Sequence, residues 1–495
     1  MIRTFIVAIS TLLLFSGCSF KPNMAKIDTK FKSSEQNATI KDRWWQDFND
    51  VRLNAFVNDV LKNNSDLKIA LNRVDIARAA LGLSSLEELP TIGYKVDATR
   101  KNNFPVAPNS HSSAIYSASF VFNYELDFWG RVANSTDAAV ARLNQSIYGY
   151  ESARLTLVSS AISLYFQLQN LYEKEEILKD TIKNYEANLA LRQKQHNAGI
   201  VDSMVIYQLS AQVDGAKAKL VSLMEAKAKV NSAIIAMSSK NYDELLYGSF
   251  ETLDIVKNIP SIPSGIPSDL LLRRPDVAVA LEKLKESNFN VGAAKAEYFP
   301  KLSLTGILGF ASTDLDNLFR ENSSSWSVAG SLAGPLFSFG RVSKGVEIAN
   351  LKQREAFLNY DKSLKEAFSD VRYALASREA ANAQMQSLAN LTASLQKVVE
   401  MADRRYKEGY SDYSELLDAE KNLLNAKLNL SSAKLSVLNS TVGLYKSLGG
   451  GFKLEDEEMI KELSSTKTKS QVAPKIHLAK IKRDIFAKFQ QLVTA

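Results

Sequence analysis

The sequence predicts a mainly α-helical protein with a membrane β-barrel part, built from two tandem copies of one structural unit. Three observations predict this fold class. Segments of the first half recur in the second half at a constant offset of 210 residues. Each half holds two strand-like stretches with alternating apolar residues, followed by long helical stretches. After the N-terminus no run of about 18 apolar residues occurs, so a membrane crossing would need strands of a closed barrel.

The composition excludes several classes of function. Of the 495 residues, 45% are hydrophobic and 23% are charged, which is ordinary for a chain that buries a core. One cysteine and three histidines are too few for a disulfide framework, a zinc site or a cysteine nucleophile with its base. Of the net charge of +7, +6 comes from Thr466 to Ala495. Residues 18–465 are therefore close to neutral, and nucleic acid is not an expected partner.

The N-terminus has the pattern of an export signal. Arg3 precedes an apolar run from Phe5 to Phe15, which has the length of a signal-peptide core and is too short to span a bilayer. The run ends at Ser16-Gly17-Cys18-Ser19, which resembles a bacterial lipobox with sorting to the outer membrane. We therefore expect loss of residues 1–17 and a covalent lipid on Cys18. The alternative is a buried or reactive free thiol in an uncleaved chain.

The internal repeat extends over more than 140 positions without a gap. Agreement over this length predicts two copies of a unit of about 200 residues and excludes an array of many short repeats. The matching pairs include Asp66 and Asp276, Ala70 and Ala280, Gly82 and Gly292, Pro90 and Pro300, Gly130 and Gly340, Arg131 and Arg341, Tyr150 and Tyr360, Gly199 and Gly409, and Asp202 and Asp412.

Each unit is expected to open with a helical segment that a proline ends, followed by two strands. Pro275 and Asp276 suit the first turn of the helix in the second unit. From Tyr116 to Phe128 apolar and mostly polar residues alternate. The length and aromatic ends of this stretch favour a membrane barrel, although a half-buried soluble sheet would alternate in the same way. The expected helical segments are 51–86 and 268–297, and the expected strands are 91–104, 114–128, 301–312 and 324–337.

Two long helices complete each unit. The stretch from Arg131 to about Gln195 contains no proline, and at 1.5 Å per residue it predicts a helix roughly 100 Å long. The helices that follow the glycine turns carry apolar residues at spacings of four and three, which indicates coiled-coil packing. Four strands in one chain cannot close a barrel, and open edges are not tolerated in lipid. The sequence therefore predicts a cyclic oligomer whose helical part projects out of the membrane.

Three groups of residues carry a resemblance to a known family. The first is Trp44-Trp45-Gln46-Asp47-Phe48 with Asn64-Ser65-Asp66-Leu67, and the second is Leu272-Arg273-Arg274-Pro275-Asp276-Val277 with Phe299-Pro300-Lys301. The third is Gly334-Pro335-Leu336-Phe337 with Gly340-Arg341. In this order, over about 18–452, they resemble TolC-type outer-membrane efflux proteins, in the lipoprotein (NodT-like) branch that serves RND tripartite pumps.

The resemblance implies a homotrimer in which a 12-stranded outer-membrane barrel continues into a periplasmic α-helical barrel. The periplasmic tip would contact a membrane-fusion adaptor protein and, through it, an inner-membrane RND-type pump. The implied function is an exit duct that passes drugs, toxic compounds or metal ions from the periplasm to the exterior. Such a duct is not an enzyme, and the lipid on Cys18 is the only expected bound group, with no cofactor and no metal.

The resemblance also implies a closed periplasmic entrance at the turns 198–202 and 408–412. Gly199 and Gly409 suit left-handed helix ends, and Asp202 and Asp412 are placed to cap the helices that follow. Our functional hypothesis is that Asp412, repeated around the axis, forms an acidic constriction, with Ser411 as the alternative position. The residues expected to keep the tip shut are Tyr410, Tyr406 and Arg405, and Asp202 is placed in the same gate.

The expected organisation has six parts. They are a signal peptide at 1–17, a lipidated segment at 18–50, repeat 1 at 51–240, an equatorial linker at 241–267, repeat 2 at 268–448 and a charged tail at 449–495. Two other functions stay open from the residues alone: a type I secretion duct of the same fold, and a non-channel periplasmic coiled-coil lipoprotein of the envelope.

Overall fold

The computed structural model describes residues 42–101, 113–238 and 274–451. The chain divides into two compact units, Met1–Phe452 and Lys453–Ala495, and every described residue belongs to the first. The expected signal peptide at 1–17, Cys18 with most of the lipidated segment, Arg273, the whole expected linker at 241–267 and most of the expected tail at 449–495 lie outside the described residues.

Seven α-helices and four β-strands make up the described part, with the same order in both halves of the chain. In each half a helix precedes two strands, and two long helices follow. The helices are α1 (Val51–Asn63), α2 (Ser65–Leu86), α3 (Arg131–Asn197), α4 (Ser203–Ser238), α5 (Pro275–Ala296), α6 (Arg341–Lys407) and α7 (Tyr413–Ser447). The strands are β1 (Thr91–Lys101), β2 (Ser113–Leu126), β3 (Lys301–Ser312) and β4 (Ser324–Ala333).

The two repeats agree closely in their backbone. Helices α3 and α6 both have 67 residues, which corresponds to about 100 Å, as the absence of proline predicted. Gly130 and Gly340, which precede these helices, both have a left-handed φ, at 76° and 80°. α4 packs back along α3, α7 packs back along α6, and α7 also contacts α3. No helix in these described ranges is both long enough and apolar enough to cross a membrane.

The four strands form one antiparallel sheet in the order β1-β2-β3-β4. The register places Tyr94, Phe120, Leu308 and Trp326 in one row across all four strands. All four side chains are exposed, because no described element of this chain covers that face. The strands β1 and β4 are the two edges of the sheet, so the predicted four strands per chain are confirmed as an open sheet.

Four predicted boundaries are wrong, each for a local reason. α5 begins at Pro275 rather than 268, because Arg274 has the extended backbone that a following proline favours. The segment 51–86 is two helices, because Asn64 has extended backbone and its side chain accepts a hydrogen bond from Leu67 N at 3.0 Å, which caps α2. β2 ends at Leu126 rather than 128, because the Asp127 carboxylate turns to accept from Ala133 N at the start of α3 (2.7 Å). β4 ends at Ala333 rather than 337, two residues before Pro335, which has no N–H for a ladder.

The main core lies where the N-terminal segment meets the long helices. A short 3-10 helix, Trp44–Phe48, buries Trp44 against Tyr445 of α7, with the rings stacked 4.7 Å apart. Phe48 contacts Phe166 of α3 edge to face at 5.2 Å. The Tyr165 hydroxyl donates to the Asp50 carboxylate (2.6 Å), and Asp50 also caps α1. This cluster joins α1 to the middle of α3 and to the C-terminal parts of α4 and α7.

Candidate functional site

The two turns that join the long helices have the same backbone geometry. Gly199 and Gly409 have φ of 75° and 81°, a conformation that side chains disfavour. After each glycine the chain closes a hydrogen bond back into the helix, from Ile200 N to Gln195 O and from Tyr410 N to Arg405 O, both 2.8 Å. These are the helix ends that the two glycines predicted.

The aspartates after the turns differ, and the capping prediction is right for only one of them. Asp202 accepts from Met204 N (2.7 Å) and from the Ser203 hydroxyl (3.2 Å), and these bonds lower the pKa of Asp202. Asp412 occupies the N-cap position of α7, but its side chain makes no capping hydrogen bond and is exposed. The prediction that the Asp412 side chain caps α7 is therefore wrong.

A buried arginine joins the two helical pairs just inside the turns. The Arg192 guanidinium of α3 lies over the rings of Tyr406 (4.6 Å) and Tyr413 (4.7 Å), on α6 and α7. The two rings meet edge to face at 5.2 Å. Arg192 is only 8% exposed, and it donates to Gln195 Oε1 at 2.6 Å. Such a desolvated cation between two ring faces stabilises the packing of α3 on α6 and α7.

The structure separates the other residues that were expected to act with Tyr406. Arg405 makes an ion pair with Glu415 at 3.5 Å, in which both side chains are about half exposed. The Tyr410 side chain is exposed. The Ser411 hydroxyl oxygen is buried and has no hydrogen-bond partner in the part of the chain that the structure describes. Of the expected contact residues, Tyr406 alone joins the Arg192 cluster.

A second set of polar side chains, from α3 and α7, lies close to the Arg192 cluster. Tyr185 of α3 and Tyr413 of α7 are buried, and the Tyr185 hydroxyl finds no partner among the described residues. Burial, and then the charge of nearby Asp403, raises the pKa of the Glu420 carboxyl to about 7. Burial and the charge of Glu420 raise the pKa of Tyr413 to about 12 and also raise that of Tyr185.

A third set of contacts fixes the start of the second unit. Pro275 is the first residue of α5, as expected, and Asp276 lies in its first turn. The Arg274 guanidinium binds Asp276 (2.7 Å), Asp370 of α6 (2.9 Å) and the carbonyl of Ser447 on α7 (3.2 Å). These bonds tie the N-terminus of α5 to both long helices of its unit, which supports a structural role for this segment.

None of these polar groups forms a reaction centre. Within residues 42–101, 113–238 and 274–451 no group of three His, Cys, Asp or Glu side chains lies close enough to hold a metal ion. The described part combines two hairpins with glycine turns, the exposed Asp412, which makes no capping hydrogen bond, and an apolar sheet that is exposed at the other end of helices about 100 Å long.

Comparison with known proteins decides the family. The sequence profile described as "Outer membrane efflux protein" matches residues 56–237 and 266–450. The chain belongs to this family. The match includes both repeats and both turns.

Similar proteins cover nearly the whole chain. The probable outer membrane lipoprotein SilC of Salmonella typhimurium is 28% identical over 474 residues, which is 91% of this chain and all of that protein. The cation efflux system protein CusC of Escherichia coli K12 is 28% identical over 457 residues, 89% of this chain and 97% of that protein. The crystal structure of the Campylobacter jejuni CmeC outer membrane channel superposes with a TM-score of 0.82 at 30% identity, over 90% and 98% of the two chains.

Family membership confirms the main expectations from the sequence. The protein is an outer-membrane efflux channel protein and not an enzyme, and a channel of this kind needs no cofactor. Its mainly helical fold with four strands in two repeats is the fold of the CmeC channel. Sequence reasoning missed Arg192 and Glu420. The signal that could have found them is a charged residue on an apolar stripe at spacings of three and four: Arg192 continues the stripe of Tyr185 and Leu189, and Glu420 lies between Leu416 and Leu423.

Replacing Arg192 with Met should loosen the tip. Met keeps much of the side-chain length but removes the cation, so the contacts with Tyr406 and Tyr413 lose about 1–2 kcal/mol. Hydrogen exchange should show protection of the tip amides falling roughly 5- to 30-fold. Arg405→Met is the matched control, since its half-exposed ion pair is worth only about 0–1 kcal/mol. Equal protection in wild type and Arg192→Met would show that the arginine does not join the helices.

Because of Glu420, the tip should be more stable at low pH than at high pH. Its pKa is raised from 4.5 to about 7 by folding, so the folded tip holds a proton that the unfolded tip has already lost. Stability therefore falls as the pH rises from about 5 to about 8. Hydrogen exchange, corrected for intrinsic rates, should show this slope in the wild type and in the control Glu415→Gln. The slope should be flat in Glu420→Gln, and an unchanged slope there would assign it to another group.

Proposed function

We propose that three copies of the chain form an exit duct of a tripartite efflux system. The observation that carries this proposal is the open four-stranded sheet with its exposed apolar face. In lipid the unpaired edges β1 and β4 need partners, and 12 strands from three chains would close a barrel. A periplasmic coiled-coil lipoprotein without a channel would need another element to cover this apolar face. A sheet in a bilayer needs no such element, because lipid contacts the face.

We further propose that the helical part forms a barrel in the periplasm whose tips contact a membrane-fusion adaptor protein, and through it an RND-type pump. Helices of about 100 Å exceed the thickness of any bilayer, so most of their length must lie outside it. CusC is by name a cation efflux protein. We propose drugs, toxic compounds or metal ions as cargo, selected by the pump, since the described residues hold no metal-binding group.

The proposed gate is a ring of Asp412 carboxylates at the tip, with Ser411, Tyr410, Tyr406, Arg405 and Asp202 around it. Asp412 is the stronger candidate of the two aspartates, because the Asp202 carboxylate already accepts capping hydrogen bonds. Like charges near one axis repel, so such a ring holds cations or excludes anions while the tip is closed. The buried Ser411 hydroxyl without a partner lies next to it and can receive a hydrogen bond from a neighbouring chain.

We also propose that Cys18 carries the N-terminal lipid. Small residues before the only cysteine support this, as does the lipoprotein name of SilC. The intact mass of the protein from outer membranes should match residues 18–495 plus a lipid group. Cys18→Ser should retain residues 1–17 and carry no lipid. A wild-type chain with residues 1–17 in place and a free thiol would contradict the proposal.

Conductance in planar bilayers tests both the duct and its gate. The wild type should form channels, and Asp412→Asn should raise the single-channel conductance by about twofold or more, because it removes the charged ring. Asp202→Asn removes one charge from the other turn and still caps, so it should resemble the wild type. Absence of channels in the wild type would reject the duct. Equal conductance in all three proteins would reject the gate and keep the duct.

A further inference from the structure

The two faces of the sheet differ in chemistry. The register places even-numbered residues of all four strands on one face, which carries most of the large apolar side chains. The other face is polar: the Thr305 hydroxyl donates to Asn123 Oδ1 (3.3 Å), and Lys95 pairs with Asp97 (2.9 Å). In a membrane barrel the even-numbered face therefore contacts lipid, and the polar face is turned to the lumen.

On β2 the lipid-facing side is long enough to cross the membrane by itself. Tyr116 and Leu126 are 10 residues apart, and every even-numbered residue between them is apolar or aromatic apart from none of charge. At about 3.4 Å per residue and a tilt of about 40°, this stretch covers about 26 Å of the bilayer. The apolar band of outer-membrane barrels is about 25 Å tall, so β2 spans it.

On β4 the same side is too short. Its apolar residues run only from Leu332 to Trp326, which are six residues apart and cover about 16 Å in the same way. The next residue on this side, at the end away from the long helices, is the polar Ser324. About 9 Å of the band therefore receives no apolar side chain from β4.

The loop that joins β3 to β4, residues 313–323, places an aromatic ring at this gap. Phe319 meets Phe310 of β3 edge to face, with the ring centroids 5.7 Å apart. Phe310 lies on the lipid-facing side and pairs directly with Ser324. Phe319 is 72% exposed. Its ring therefore continues the lipid-facing side where β4 stops providing apolar residues.

This loop is folded, so the position of its exposed phenylalanine is fixed by the chain. It contains two short 3-10 turns, Leu315–Asn317 and Glu321–Ser323, and the second contacts β3. The Ser323 hydroxyl donates to the Asn317 carbonyl oxygen at 2.7 Å. Leu318 is buried, at 4% exposed.

We propose that Phe319 inserts into the outer leaflet of the outer membrane and completes the apolar band beside β4. The partner is the acyl-chain layer of that leaflet, because the ring continues a face that contacts lipid. The charged residues of the loop then lie at the level of the lipid headgroups; they are Asp314, Asp316, Arg320 and Glu321. This proposal rests on the proposed membrane barrel and adds that its two hairpins cross the bilayer by different means.

The contact with Phe310 argues against a lid over the lumen. A lid would hold its apolar side chains over the polar face, which carries Asn123 and Thr305, whereas Phe310 lies on the opposite face of the sheet. Aromatic rings are also the side chains that suit the boundary between acyl chains and headgroups.

Spin labels test the position of the loop in phospholipid vesicles. Cys18 is the only cysteine and the proposed lipid site, so single thiols can be introduced as Phe319→Cys, as Leu308→Cys on the lipid-facing side and as Ser327→Cys on the polar side. A nitroxide in Phe319→Cys should collide more with oxygen, which concentrates among acyl chains, than with a water-soluble nickel chelate. Leu308→Cys should show the same preference, and Ser327→Cys should show the reverse.

The outcomes separate the loop from the barrel. A preference for the nickel chelate in Phe319→Cys, beside a preference for oxygen in Leu308→Cys, overturns the insertion of Phe319 and leaves the barrel intact. A preference for the nickel chelate in both variants overturns the barrel, and the insertion with it.

A variant without the ring tests the height of the band. Phe319→Ser should lower the unfolding temperature more in vesicles of long-chain than of short-chain phosphatidylcholine, because the shortened band no longer matches the thicker bilayer. The matched control is Ile307→Ser, which removes an apolar side chain from the polar face of β3 and should give the same loss in both lipids. An equal loss in both lipids for Phe319→Ser would overturn the proposal.

Discussion

The structure depends on one constraint, which is that no backbone N–H or C=O group can stay unpaired in lipid. The sheet of a single chain has two open edges, β1 and β4, and a row of exposed apolar side chains that includes Phe120 and Trp326. A soluble protein would need another element to cover this face, whereas a barrel in a bilayer satisfies both the edges and the face. Closure of such a barrel requires other copies of the chain, because four strands are too few to close one.

The two repeats are alike where they build the same backbone and differ where their surroundings differ. The glycines at the starts and ends of α3 and α6 share one conformation, because both helices must begin and turn in the same way. Asp202 and Asp412 occupy equivalent positions with different roles.

Much of the fold could be predicted from local sequence, and less of the site. The absence of proline predicted 67-residue helices, and Gly199 and Gly409 predicted the turns, because both effects act through neighbouring backbone. The end of β4 at Ala333 was not predicted, although Pro335, which has no N–H for a strand ladder, indicates it. Arg192 and Glu420 could not be assigned, since Arg192 meets Tyr406 and Tyr413 from more than 200 residues away. The role of both residues depends on which side chains surround them in the fold, and this cannot be read from the sequence alone.

In the proposed gate, opening would move whole hairpins and not their turns. The glycine turns are closed by their own backbone hydrogen bonds, so each helical pair can keep its shape. In the proposed gate, opening has to break the contacts between the two pairs, which include Arg192 with its two tyrosines and the apolar cluster with Tyr185, Leu209 and Leu416. The cation–π contacts are worth about 1–2 kcal/mol per chain, and separating the apolar cluster adds to that cost. A partner shifts the equilibrium only if it binds the open form more tightly than the closed form by at least the sum of these terms, and no chemical step in the duct is needed.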